Sequence, residues 1–432
     1  MLDHWRKITP ADKARRRRSG VRIGLVLAFA VLALVFVGLW NTLGISLPLP
    51  PPTSTLTAVS AQGSMDISSW GLAGGPPSPA GRHRWTFKAE EPLVVPPVVV
   101  EDRVYIVVGR TSATGRVVAL TLDTGQPVWE YFLGSIADYP PAVAGDLLYV
   151  GTRSGRLLAV NRHTGEDRWS FEARRWILGT PVVQDGVLYL GAAQVYALDA
   201  ATGKERWHRP VGGGVARPIA VAEGVVAVAS SDGHVVLIDA WNGKRRLSFR
   251  LWFASTGGLV ISGQTVAVTG DKGYVQSLDL HGRDIPMEKA IRFFWTKMYL
   301  HGVAPRPPLP RGYLWQQRGI KGVKADARGA DSARIFLAVA DAGHSGRVVA
   351  LDRETGEVLW QFSTASPVAP SATLASDLVF VGTEDGQVYG LRVASGEKVW
   401  ELILKGGVGA APAVAGDLVL VPCLDGALYA FR

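Results

Sequence analysis

The 432 residues predict an all-β protein: an eight-bladed β-propeller of four-stranded antiparallel blades, preceded by one N-terminal transmembrane helix. Three observations lead there. Ala-Leu-Asp-Ala-Ala-Thr-Gly-Lys-Glu-Arg-Trp at 197–207 returns at 350–360 as Ala-Leu-Asp-Arg-Glu-Thr-Gly-Glu-Val-Leu-Trp. Looser copies keep a glycine four residues before a tryptophan at Gly125/Trp129, Gly165/Trp169 and Gly396/Trp400, beside Gly203/Trp207 and Gly356/Trp360. Finally, a charge-free apolar run at 23–40 follows a block of arginines. Self-similarity at a period near 40 residues signals a repeat architecture that uses its length as one domain.

Residues 1–22 form a basic tail with eight Lys/Arg against Asp3 and Asp12, so most of the +9 net charge lies there. The apolar run has eighteen residues, and neutral residues continue to Ile45. At 1.5 Å per residue, eighteen helical residues cover about 27 Å, near the roughly 30 Å hydrocarbon core. Arg15 to Arg18 and Arg22 place its N-terminal end in the cytoplasm by the positive-inside rule. The expectation is a single-pass anchor at 23–45 in the cytoplasmic membrane, with everything beyond it extracytoplasmic, periplasmic or at the cell surface. A cleaved signal peptide fits less well, because Val59-Ser60-Ala61 lies far past the apolar core. No cysteine follows for a lipid anchor. Residues 46–81 then read as a Pro-rich linker, since Pro48 and Pro50 to Pro52 favour extended polyproline II.

The ring occupies 82–432. Residues 180–207 display its grammar: a short strand, the Asp185-Gly186 turn, a second strand, a third ending at Asp199, the Thr202-Gly203 turn and a fourth strand carrying Trp207. Glycine supplies positive φ in that turn and a flat peptide face on which an indole can stack. Third-strand hairpins recur near Gly115, Gly155, Gln194, Gly233, Gly273, Gly346, Gly386 and Gly426, which makes eight. The last lacks a fourth strand, and the segment around Trp85 supplies it from the N-terminal side, removing a free sheet edge. Two copies keep the glycine and lose the tryptophan, at Gly243/Leu247 and Gly282/Pro286.

Ala-x-Asp-x-x-Thr-Gly-Lys-x-x-Trp, complete at 197–207, resembles the tryptophan-docking motif of the quinoprotein (PQQ-repeat) family of eight-bladed propellers. The resemblance covers 82–432 and embraces two functional branches. One contains pyrroloquinoline-quinone dehydrogenases, and it implies a quinone over a tryptophan, Ca²⁺ on Glu, Asn and Asp, and often adjacent cysteines. The other contains non-enzymatic BamB-like proteins of outer-membrane β-barrel assembly.

The residues lean to the second branch. Cys423 is the only cysteine, which excludes adjacent cysteines, disulfides and c-type haem attachment, and it reads as a small buried apolar residue. Asn161 and Asn242 fall in docking turns, and Asp185, Asp232, Asp377, Asp385, Asp417 and Asp425 occupy turns as well. The sequence offers no catalytic, cofactor or metal residues; PQQ and calcium belong to the dehydrogenase alternative alone. The expected function is a membrane-anchored extracytoplasmic scaffold for a protein partner, in envelope protein assembly in the BamB-like case. The alternatives are a PQQ-dependent dehydrogenase, a module binding an anionic envelope polymer, or a sensor ectodomain.

Two places stand out as partner-binding. Arg174, Arg175 and Trp176 sit between a fourth strand and the next blade, and exposed Arg and Trp are favoured interface anchors. Residues 283–334 read as a basic aromatic insertion, because the interval from Pro286 to Trp360 exceeds an ordinary repeat by about 34 residues. It holds eleven basic and four acidic side chains. Phe293, Phe294, Trp295, Tyr299, Tyr313 and Trp315 alternate there with cations that include Arg318 and Lys321. Such a loop suits an anionic polymer or lipid headgroups. Nucleic acid shares the composition but is disfavoured outside the cytoplasm.

Overall fold

The computed structural model describes residues 82–432 apart from 174, 217, 254, 256, 271–272, 286, 319, 321–323, 342–344 and 370–371. The expected basic tail, anchor and linker at 1–81 lie outside the described residues. Among the described residues, no helix is long and apolar enough to cross a membrane.

Eight four-stranded antiparallel sheets account for the described strands. Seven are sequential hairpin meanders: the first blade runs from Val98–Val100 to Pro127–Phe132, the third from Val182–Gln184 to Glu205–Pro210. The eighth combines Ala413–Ala415, Leu418–Pro422 and Ala427–Phe431 with the N-terminal strand His83–Lys88, which pairs with Ala427–Phe431. Arg82 and Arg432 exchange backbone hydrogen bonds of 2.8 and 2.9 Å at that junction. The ring is therefore closed by its own first strand.

The docking motif is explained by its turn. In the third blade the Gly203 N–H donates to the Asp199 carbonyl at 2.8 Å, and Gly203 has φ +72°. Asp199 Oδ1 accepts from the Thr202 N–H at 3.1 Å and from its hydroxyl at 2.9 Å, while Arg206 donates to Oδ2 at 2.8 Å. These bonds hold the Asp199 carboxyl below its ordinary range, the Arg206 hydrogen bond first and Thr202 next. A β-bulge follows, so that Trp207 faces Ala197 while Glu205 faces Leu198. The alanine of Ala-x-Asp thus leaves room for the indole across the strand. Ala119, Ala159 and Ala350 face Trp129, Trp169 and Trp360 through the same bulge.

The apolar core is divided among eight clusters of buried side chains, one at each junction between consecutive blades. Cys423 lies fully buried in the junction of the seventh and eighth blades, and burial pushes its thiol up to about 12.

The fifth blade departs from the sequence reading. Its third strand is Val275–Asp279 and its fourth is Tyr313–Gln317. The Asp279 N–H donates to the Gly312 carbonyl at 2.8 Å, as Asp199 does to Lys204 at 2.7 Å. The chain therefore leaves the ring after Gly282 and rejoins it at Gly312. Spacing from the glycine made Pro286 the docking position and extended the insertion from 283 to 334. Both expectations are corrected. The insertion opens the docking turn itself, the docking tryptophan is Trp315, and Tyr313–Gln317 and Lys324–Ala330 are blade strands. Within the insertion lies the helix Glu288–Leu300.

Candidate functional site

Each docking tryptophan reaches across to the next blade. A Cβ built on Gly125, Gly165, Gly203, Gly356 or Gly396 would come within 2.3–2.9 Å of the indoles of Trp85, Trp129, Trp169, Trp315 and Trp360 respectively. Gly243 receives Trp207 in the same way. The indole N–H then donates to a carbonyl just after the next blade's third strand: Trp85 to Leu122 at 2.8 Å, Trp169 to Ala200 at 3.2 Å, Trp360 to Val393 at 2.9 Å. Trp400 is buried and its indole N–H has no partner among the described residues.

A second member of this latch went unread in the sequence. Tyr105, Tyr149 and Tyr189, on second strands, donate their hydroxyls to Arg162, Ala200 and Ala240 carbonyls at 3.0–3.1 Å. These are the acceptors used by Trp129, Trp169 and Trp207. Burial foremost pushes Tyr149 and Tyr189 up to about 12. The signal available was a tyrosine at matching positions of three second strands.

The loop Arg175-Trp176 has the opposite character. Ile177 beside it is buried against Gly151, its N–H donates to Thr152, and the Leu178 N–H donates to Gly191 at 3.0 Å. Arg175 and Trp176 are left in solvent, Trp176 62% exposed on a pinned loop. Arg174 lies outside the described residues. Loops from a fourth strand to the next blade share one face of the ring with the turns joining second and third strands, because the strands alternate in direction. Trp252, 77% exposed, is on the same face, next to Phe253, which stacks on Tyr274 at 5.6 Å. Trp241, 82% exposed, is on the opposite face in a docking turn. Neither Trp252 nor Trp241 was singled out in the sequence, although a bulky indole in a polar turn was a signal.

The aromatics of 293–315 divide. Phe293, Phe294 and Tyr299 are exposed; Trp295 is half-buried, its Nε1 donating to the Pro305 carbonyl at 2.9 Å. Trp315 and Tyr313 are corrections. Trp315 is buried on Gly356 and donates to Arg353 at 2.8 Å, and Tyr313 packs on the cluster between the fourth and fifth blades. Both belong to a blade strand, Trp315 buried and Tyr313 half-buried, and not to an exposed loop. Arg318 is exposed and donates to Gln316; Lys321 lies outside the described residues.

A cleft of about 610 Å³ is lined by Arg209, Asp232, His234 and Arg245. Ser230, Asp232 and His234 come together there, but as a turn. The Ser230 hydroxyl lies 2.5 Å from Asp232 and 3.0 Å from the His234 carbonyl; Thr383 repeats both contacts with Asp385 and Gln387. A hydroxyl bonded to a carboxylate and a carbonyl, away from the imidazole, is not arranged as a base-activated nucleophile. Among the described residues, no three His, Cys, Asp or Glu side chains gather as metal ligands. Asp199, Asp239 and Asp352 are spent on turn N–H groups. A Ca²⁺–quinone centre needs several converging oxygen donors, and these residues do not fit one.

The family described as outer membrane protein assembly factor BamB matches residues 78–172, 113–194, 176–287 and 308–432. The 1-butanol dehydrogenase (cytochrome c) of Thauera butanivorans is 27% identical over 291 residues, 55% of this chain and 41% of that protein. The outer membrane protein assembly factor BamB of Nitrosomonas eutropha is 31% identical over 140 residues, 31% of this chain and 34% of that one. The chain thus spans less than half the length of these curated relatives. The crystal structure of BamB from Moraxella catarrhalis superposes with TM-score 0.59 at 16% identity, covering 82% of this chain and all of that one, a likeness of fold.

Proposed function

The chain belongs to the family described as outer membrane protein assembly factor BamB, and from that premise we propose that it is a cell-envelope scaffold whose propeller docks a protein partner. The observation that carries the reading is Trp176, held in solvent beside Arg175 by a loop pinned at Ile177 and Leu178. An aromatic anchor fixed in advance loses little conformational entropy on binding. Trp252 extends that surface along the same face.

The finer parts of the reading rest on sequence. The apolar run at 23–40 behind Arg15 to Arg18 supports a single-pass anchor that puts the ring outside the cytoplasmic membrane. The names of the relatives support a partner within envelope protein assembly. A photo-crosslinking residue at position 176 or 252, introduced into the full chain in its own membranes, is expected to give one common protein adduct. Residue 403 is the control position. Equal adducts from all three positions would contradict the reading.

Similarity to the butanol dehydrogenase favours a second reading as a quinoprotein enzyme. Adding pyrroloquinoline quinone and Ca²⁺ to the purified chain separates the two: a bound-quinone absorbance with alcohol-dependent dye reduction would establish the enzyme.

A further inference from the structure

The family match leaves residues 288–307 uncovered, and the helix Glu288–Leu300 lies within that gap. An extended arm returns along one side of the helix. Trp295 Nε1 donates to the Pro305 carbonyl at 2.9 Å, and Arg292 donates to the Pro308 carbonyl. At 3.6 residues per turn, Ala290, Phe293, Lys297 and Leu300 form a stripe on the side away from Arg292 and Trp295. Phe293 is 68% and Leu300 69% exposed, and Met287 and Val303 are exposed beyond the two helix ends. Lys297 Nζ lies 5.6 Å from the Phe293 ring centroid, so its stem runs along the apolar stripe and its charge sits at the edge.

None of the described side chains from 287 to 309 is fully buried. Residues 286–309 carry Lys289, Arg292, Lys297 and Arg306 against Glu288 alone. Large aromatics beside lysine and arginine on a short helix match an interface where one side is hydrocarbon and the other anionic. We propose that this hairpin lies in the surface of an anionic phospholipid bilayer, with Phe293 and Leu300 at the acyl boundary and Lys297 and Arg306 on the headgroups. The proposal deepens the envelope reading by giving the ring a membrane contact of its own.

The full chain suits a thiol-labelling test, because its one native cysteine is buried with its thiol pushed up to about 12. Phe293→Cys, Leu300→Cys and, as control, Ile403→Cys carry an environment-sensitive fluorophore. Each is mixed with phosphatidylcholine vesicles, with or without phosphatidylglycerol, containing acyl-brominated lipid. Co-flotation with the vesicles reports the 23–45 anchor; the ratio of quenching between positions reports the hairpin. The expected result is quenching several-fold stronger at 293 and 300 than at 403, dependent on phosphatidylglycerol and abolished by Lys297→Glu with Arg306→Glu. Equal quenching at the three positions overturns the proposal. So does retention on immobilised polyphosphate without excess quenching at 293 and 300, which would assign the hairpin to a soluble polyanion.

Discussion

The junction between the second and third blades and that between the fourth and fifth do the same task by different means. In the first, Trp169 lies on Gly203, and Trp169 and Tyr149 both donate to the Ala200 carbonyl. In the second, Leu247 takes the tryptophan's place, 2.6 Å from where a Cβ on Gly312 would stand, and donates no hydrogen bond. The first arrangement requires a glycine and a carbonyl at fixed points of the next turn, so that turn cannot be lengthened. The second again places a glycine, Gly312 at φ +77°, against the side chain, but needs no carbonyl acceptor for it. It is at this junction, with no indole hydrogen bond across the turn, that the chain leaves the ring after Gly282 and returns at Gly312.

Substitutions can break this contrast in graded steps. Trp360→Ala is expected to cost about 4 kcal/mol, removing a buried indole together with its hydrogen bond. Equilibrium denaturation measures it. Gly203→Val should cost about 3 kcal/mol, because a side chain at φ +72° is strained and its Cβ would stand 2.5 Å from Trp169. At the irregular junction, replacing 284–311 by a tight turn should raise stability by about 1 kcal/mol through the shorter loop closure. A large loss there would mean that the hairpin supports the ring. Tyr149→Phe should cost about 1 kcal/mol, since Ala200 keeps its bond from Trp169.

Alkali probes the same latch without mutation. Burial raises Tyr149 and Tyr189 to about 12, so their stabilising contribution is complete below the ordinary tyrosine value of about 10 and is lost as pH climbs through about 12. Tyrosinate absorbance followed alongside circular dichroism should show these hydroxyls ionising with unfolding.

The ring was legible because its signals are local. Asp199, Thr202, Gly203 and Trp207 lie within nine residues, and the same spacing counted eight third strands, including the one that Trp85's strand completes. Spacing failed where the signal was interrupted. With the docking turn opened between Gly282 and Gly312, Trp315 read as one more aromatic of a basic loop, although it is a blade anchor. The tyrosine latch escaped notice because its donor and acceptor lie 51 residues apart in the chain for Tyr149 and Ala200. Exposure was equally beyond the sequence: Trp176 and Ile177 are neighbours, and only their placement around Gly151 sends one outward and the other in.

Buried tryptophans build the ring, and we propose that the exposed ones serve a partner. Trp176→Ala in the full chain tests this division through the yield of the adduct formed by a crosslinker at position 252. A several-fold loss of adduct with the unfolding midpoint unchanged is expected. Undiminished adduct, or a ring destabilised as severely as by Trp360→Ala, would contradict it.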